Sequence, residues 1–146
     1  VEVFATGECL IEPGLAEYGD VDTAAIVLRL STGAIATFDF GRRTAFGQDE
    51  SIEVFGSKGM LVSGRKRAGN VDLYQGSQVT GSGIYYDPYG QFAQSYIDEL
   101  TSFANAIAGK TPVHASLADG LRTQAVAEAA IRSLSERKMI NIEKIW

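Results

Sequence analysis

Between Asp22 and Leu30 the apolar residues Ala24, Ile26, Leu28 and Leu30 alternate with Thr23, Ala25, Val27 and Arg29, the two-residue period of a strand with one buried face. Ser31-Thr32-Gly33 makes a short turn. Ala34, Ala36, Phe38 and Phe40 then alternate with Ile35, Thr37 and Asp39, so the pair predicts a β-hairpin. Val1–Phe4 also reads as strand. Ser51–Phe55 and Met60–Ser63 flank the turn Gly56-Ser57-Lys58-Gly59, and Val71–Gln75 with Gln78–Ile84 form a weaker, glycine-punctuated hairpin. Such meanders give antiparallel sheet.

From Asp87 the period becomes helical. Asp87 is placed to cap a helix with Pro88 at its first position. Phe92, Tyr96, Leu100, Phe103 and Ile107 form one apolar stripe, and Gly109 is a stop signal. After Thr111-Pro112, Ser116 and Asp119 have the spacing of a capping box that opens a second helix over 117–136. That helix is alanine-rich, and its larger residues Leu117, Leu121, Val126, Ile131 and Leu134 spread around much of its circumference. Met139–Ile142 can close the chain as a short strand. The pattern predicts an α+β fold in a single domain over 1–146, with a predominantly antiparallel open β-sheet and both helices packed on one face. The other face carries Thr23, Ala25, Val27, Ile35 and Thr37, which are weakly apolar. Two readings stand for it: a partner surface, or an exposed face with the β-branched residues common on strands.

Composition narrows the function classes. The 146 residues are 45% hydrophobic, enough for a core. Thirteen basic against eighteen acidic residues give a net charge of −5, which argues against nucleic acid or an anionic membrane as partner. A single cysteine and a single histidine exclude an internal disulfide framework and an all-protein Cys/His zinc site. No apolar run approaches the roughly 18 residues of a membrane span. Glu2 and Glu8 interrupt any signal-peptide pattern, so a cytoplasmic setting is expected. The chain starts at Val1, directly in a strand, and is expected to be a piece of a longer protein.

Few residues offer chemistry. His114 lies in a linker with no carboxylate or nucleophile aimed at it and reads as a loop histidine. Cys9, between Glu8 and Leu10, has nothing nearby to activate its thiol. Arg65-Lys66-Arg67 reads as a solvated loop. Gly56-Ser57-Lys58-Gly59 lacks both the spacing and the following helix of a phosphate loop, and Gly81-Ser82-Gly83 is a strand end, so no dinucleotide fingerprint is present. The densest polar stretch is Arg42-Arg43-Thr44-Ala45-Phe46-Gly47-Gln48-Asp49-Glu50. Its arginines, amide and carboxylates at a sheet edge can hydrogen-bond a polyhydroxylated ligand, or form ordinary surface ion pairs.

At this stretch the sequence resembles a known family. Gly19-Asp20-Val21-Asp22-Thr23-Ala24, the strand pair ending in Asp39 and Arg42, and Gly47-x-Asp49 running into Ile52-Glu53-Val54-Phe55-Gly56-Ser57-Lys58-Gly59-Met60 are similar to the C-terminal domain of the Gfo/Idh/MocA oxidoreductases, inositol 2-dehydrogenases above all. The likeness continues through Tyr96–Phe103, Gly109–Val113, Asp119–Arg122 and Ala127–Ser133.

The resemblance implies a substrate-side and oligomerisation domain of an NAD(P)-dependent polyol or sugar dehydrogenase. It further implies a missing N-terminal Rossmann domain that binds NAD or NADP, a lysine in a Glu-Lys-Pro motif and a general base in an Asp-x-x-x-His motif, all upstream. No catalytic residue is then expected in this chain, which alone should neither hold the cofactor nor turn over. Its partners would be a cyclitol or sugar, and a second copy through the face bearing Thr23, Ala25, Val27, Ile35 and Thr37. The candidate substrate-binding residues are Gln48, Arg42, Asp49 and Gln91. Many inositol dehydrogenases have Gly-Tyr-Asp-Gln-Arg where this chain has Gly47-Gln48-Asp49-Glu50-Ser51, so Gln48 would meet the substrate through an amide. Likewise Glu-Arg-Tyr is replaced by Gly90-Gln91-Phe92. A stand-alone, non-catalytic oligomerisation or ligand-binding module is the alternative.

Overall fold

The computed structural model describes residues 1–64 and 67–142. Strands β1 (Glu2–Glu8), β2 (Thr23–Arg29), β3 (Ile35–Gly41), β4 (Ile52–Gly56), β5 (Gly59–Ser63), β6 (Asp72–Gln75) and β7 (Gln78–Gly81) precede helices α1 (Pro88–Ile107) and α2 (Leu117–Glu136) and strand β8 (Ile140–Asn141). A short 3-10 helix, Pro13–Tyr18, follows β1. The class is the expected one, α+β with antiparallel sheets and helices. The strands are divided among three sheets: one of four, in the order β3-β2-β1-β8, and two hairpins, β4-β5 and β6-β7. The chain forms two compact units, Val1–Arg43 with the chain from His114 on, and Thr44–Val113.

In the first unit the period-2 alternation becomes one buried face. Val3 pairs with Leu28, and Leu28 with Ala36, so inward residues meet across the ladder. Val3, Ala5 and Leu28 pack with Ala129, Ala130 and Ile140 as the core. Burying Val3 completely is worth about 1.5–3 kcal/mol. Helix α2 lies on this face through its small residues. Ala125, Ala129 and Ser133 recur every four residues and are buried, and Val126, Ala130 and Leu134 form the adjoining row. The larger Leu117, Leu121 and Ile131 point away and are exposed. Short side chains bring the helix close to the sheet, where Ser133 joins the two. Its Oγ accepts from the Ala5 N–H (2.9 Å) and donates to the Lys138 carbonyl (2.6 Å). The capping box is present in full: the Ser116 hydroxyl accepts from the Asp119 N–H, and the Asp119 carboxylate from the Ser116 N–H.

Asp22 organises the loop after β1. It is 1% exposed. Its carboxylate accepts from the N–H groups of Leu10 (3.0 Å), Ile11 (2.8 Å) and Glu12 (2.7 Å) and from the Thr23 hydroxyl (2.8 Å). The Glu12 N–H does most to hold its pKa down; with Ile11, Thr23 and Leu10 it outweighs burial and leaves the value at about 2. On the uncovered face of the sheet, Phe4, Val27 and Thr37 stand in one row and Thr6, Ala25 and Asp39 in the next. Glu2, Arg29 and Ile35 make a third row, with an ion pair of 3.6 Å between Glu2 and Arg29. Thr23 is half-buried, whereas Ala25, Val27, Ile35 and Thr37 are exposed.

The second unit holds β4 to β7 and α1. Asp87 caps α1 by accepting from the Gly90 N–H at 2.9 Å. Gly109 ends it in the left-handed conformation (φ 68°), as its position predicts. The apolar stripe is present but mostly uncovered: Tyr96, Leu100, Phe103 and Ile107 are all exposed. Gly56-Ser57-Lys58-Gly59 is a hairpin turn. Of Arg65-Lys66-Arg67, the first two lie outside the described residues, and Arg67 pairs with Asp72 at 2.7 Å.

Candidate functional site

The site is built from the connection between β3 and β4 and from the start of α1. The boundary between the two units falls inside this connection, after Arg43. From Thr44 on, the chain turns tightly: the Thr44 hydroxyl donates to the Gly47 carbonyl, and the Gly47 N–H returns to the Thr44 carbonyl at 3.4 Å. Gly47 has φ 112°, and a Cβ there would lie 2.8 Å from the Tyr85 carbonyl oxygen. Only glycine meets both conditions. The next N–H, that of Gln48, donates to the same Tyr85 carbonyl at 2.8 Å. A Cβ on Gly90 would fall 2.8 Å from Cδ1 of the Tyr85 ring, so the first turn of α1 approaches this residue too. Tyr85 therefore ties the Gln48 segment to the head of the helix. A cavity of about 290 Å³ is lined by Glu50 and, along α1, by Pro88, Phe92, Ser95, Tyr96 and Glu99.

Three of the four predicted substrate-binding residues belong to this unit. Gln48 is half-buried, and its Nε2 donates to Glu50 Oε1 at 2.9 Å. Asp49 is half-buried, and its Oδ1 is fully enclosed with no hydrogen-bond partner among the described residues. Gln91 is 5% exposed, and its Oε1 is in the same condition. Two enclosed acceptors without donors each forgo about 1–3 kcal/mol. Arg42 is the exception. It belongs to the first unit, where its guanidinium pairs with Asp20 at 2.5 Å and its N–H donates to the Asp22 carbonyl at 2.7 Å.

Sequence reasoning missed Tyr85 and Glu50 as parts of this arrangement. Tyr85 acts through its carbonyl and ring, which no periodicity marks. Glu50 was visible only as one charge in a polar run. His114 is exposed, and the half-buried Cys9 thiol donates to the Asp20 carbonyl at 3.1 Å. Among the described residues no three His, Cys, Asp or Glu side chains gather as metal ligands, and no helix is long and apolar enough to cross a membrane. The acceptor oxygens suit a ligand rich in hydroxyl donors.

Residues 1–62 match the family model for the GFO/IDH/MocA C-terminal domain, and relatives extend that match along nearly the whole chain. The chain belongs to the Gfo/Idh/MocA family and corresponds to its C-terminal domain. Within the family its likeness is to inositol 2-dehydrogenases. The myo-inositol 2-dehydrogenase of Thermotoga maritima is 35% identical over 99% of this chain, which covers 43% of that enzyme. The crystal structure of a myo-inositol dehydrogenase from Corynebacterium glutamicum superposes with a TM-score of 0.91 at 27% identity, over 98% of this chain and 43% of that one. A scyllo-inositol dehydrogenase from Lactobacillus casei, solved with bound NAD(H) and scyllo-inositol, shares the fold at 24% identity and a TM-score of 0.85, over 95% of this chain and 41% of its own. The chain thus spans less than half the length of these relatives.

Proposed function

We propose that the chain is the substrate-side and oligomerisation domain of a cytoplasmic NAD(P)-dependent dehydrogenase that oxidises a ring hydroxyl of a cyclitol or sugar to a ketone. The observation that carries this reading is the set of acceptor groups on Gln48, Asp49 and Gln91 in one unit, with Tyr85 joining the Gln48 segment to α1, in a chain similar to inositol dehydrogenases. An inositol presents a hydroxyl on every ring carbon, so its recognition needs several fixed polar groups rather than an apolar pocket. The nicotinamide, when bound by the remainder of the protein, supplies the hydride acceptor. The residues of this chain bind the hydroxyls away from the reacting carbon and so fix which carbon is presented. With an amide at Gln48, the preferred ring can be a cyclitol other than myo-inositol, or a sugar.

Expression of the longest reading frame that contains this sequence tests the proposal. That protein should form NADH or NADPH only when a cyclitol or sugar is added, while residues 1–146 alone should bind no nicotinamide nucleotide and form none. Turnover by the 146 residues alone would refute the division of labour. A longer protein indifferent to every polyol would leave the non-catalytic module as the better reading.

A further inference from the structure

Strand β8 covers only the start of β1, where Glu2 meets Asn141 and Val3 meets Ile140. The odd-numbered residues of β1 turn their N–H and carbonyl groups to that side. The Val1 carbonyl accepts from the Ile142 N–H at 2.8 Å, and the Ala5 N–H donates to Ser133 Oγ. Gly7 follows the same alternation, because β1 stays in register with β2 as far as Glu8. The Ala5 carbonyl and both backbone groups of Gly7 therefore point away from β2, with no partner among the described residues. Ala5 and Gly7 line a cavity of about 580 Å³ together with Ala16, Gly19, Leu134 and Arg137.

Arg137, the residue after α2, is the one non-glycine with positive φ (52°) among the described residues. Glycine is usual at that position, because a Cβ is strained there. The arginine makes no ion pair among the described residues, and its neighbour Glu136 is taken by Arg132 and Lys138. Of the acidic residues around the cavity, Asp20 is paired with Arg42, and Glu8 belongs to the uncovered face of the sheet. An unpaired strand edge with a cation beside it fits an extended peptide that carries an acidic side chain.

We propose that this edge is a strand-addition site: an extended segment of the same protein, from outside residues 1–146, pairs its backbone with Gly7 and sets an acidic side chain against Arg137. The inference rests on the reading that the chain is part of a longer dehydrogenase. This chain covers less than half the length of its relatives, so the greater part of such a protein is available to supply the strand. The added strand would give Gly7 what Ile140 gives Val3, one donor and one acceptor.

The experiment follows amide hydrogen exchange, resolved at Gly7 and Thr6, in the full dehydrogenase and in residues 1–146. In residues 1–146 the Gly7 amide should exchange at least about tenfold faster than in the full protein, whereas Thr6, which faces β2, should differ little. In the full protein Arg137→Gly, which relieves the backbone, should speed Gly7 exchange at least about threefold, and Arg137→Lys should not. Equal Gly7 exchange in the two proteins, or an Arg137→Gly variant as protected as wild type, overturns the proposal. Protection that fades on dilution of the full protein also overturns it, because a second copy then supplies the cover. Polyol-dependent NADH formation by the same sample keeps the two readings apart. Turnover with an unprotected Gly7 refutes the strand addition alone, and a protected Gly7 without turnover refutes only the reading of function.

Discussion

At the scale of single residues, three side chains or their absence hold the local structure. Ser133 is fully buried and satisfies one backbone donor in β1 and one backbone acceptor in the turn after α2. Ser133→Ala leaves the Ala5 N–H and the Lys138 carbonyl unpaired, and should cost about 1–3 kcal/mol in urea unfolding. A loss below a few tenths would mean that the helix relaxes to supply other partners. Asp22 gives a pH signature. Its folded pKa of about 2 lies below the ordinary 3.8, so the stabilisation it provides is complete above 3.8 and disappears as pH falls from there towards 2. Asp119, held down first by the Ser116 hydroxyl, and Glu136, held down first by Lys138, act in the same direction. Melting temperatures of the wild type and Asp22→Asn should differ most at pH 5 to 7, with the difference shrinking as pH falls through 3.8 and vanishing only below about pH 2; a difference constant with pH would contradict this. At Gly47, alanine meets both the positive φ and the Tyr85 carbonyl, and Gly47→Ala should destabilise the second unit by about 1–3 kcal/mol.

At the scale of elements, much was legible because it depends on near neighbours. The alternation from Thr23 to Arg29 and from Ile35 to Phe40 specifies a hairpin whatever surrounds it. Asp87-Pro88 and Ser116 with Asp119 announce helix starts through groups three residues apart, and both capping interactions are formed. Ser116→Ala should lower stability by about 1 kcal/mol, a value set by the cap alone. What escaped the sequence depends on distant partners. Nothing in the run Cys9–Glu12 announces that three of its N–H groups converge on Asp22. The alanines of α2 read as good helix formers, and only the sheet beneath them shows that Ala125, Ala129 and Ser133 are the buried row while Leu117 and Leu121 are not. The likewise untraceable contact of Tyr85 with both Gln48 and Gly90 is what joins the site residues. Arg42 and Gln48 are six positions apart in the chain yet belong to different units, a division that no periodicity marks.

At the scale of the whole molecule, the first unit has one face covered by α2 and the other uncovered, with Phe4, Val27 and Thr37 in its central row. We propose that a second copy covers this face. An isologous contact would set each Val27 near its symmetry mate, and an obligate interface of this kind buries on the order of 2,000 Å² or more. Sedimentation equilibrium at tens of micromolar should give a dimer or larger, and Val27→Lys should shift it to monomer, because like charges would meet and lose water across the two-fold. A monomeric wild type, or a variant that associates as well as wild type, would place any contact elsewhere. The central claim, that this chain is the substrate-reading half of a polyol dehydrogenase, is tested most directly by one substitution. In the full enzyme Gln48→Tyr should change the ratio of kcat/KM for myo-inositol to that for its other cyclitol or sugar substrates by about tenfold or more. A ratio unchanged within error, with the enzyme still active, would contradict the account by placing Gln48 outside the site.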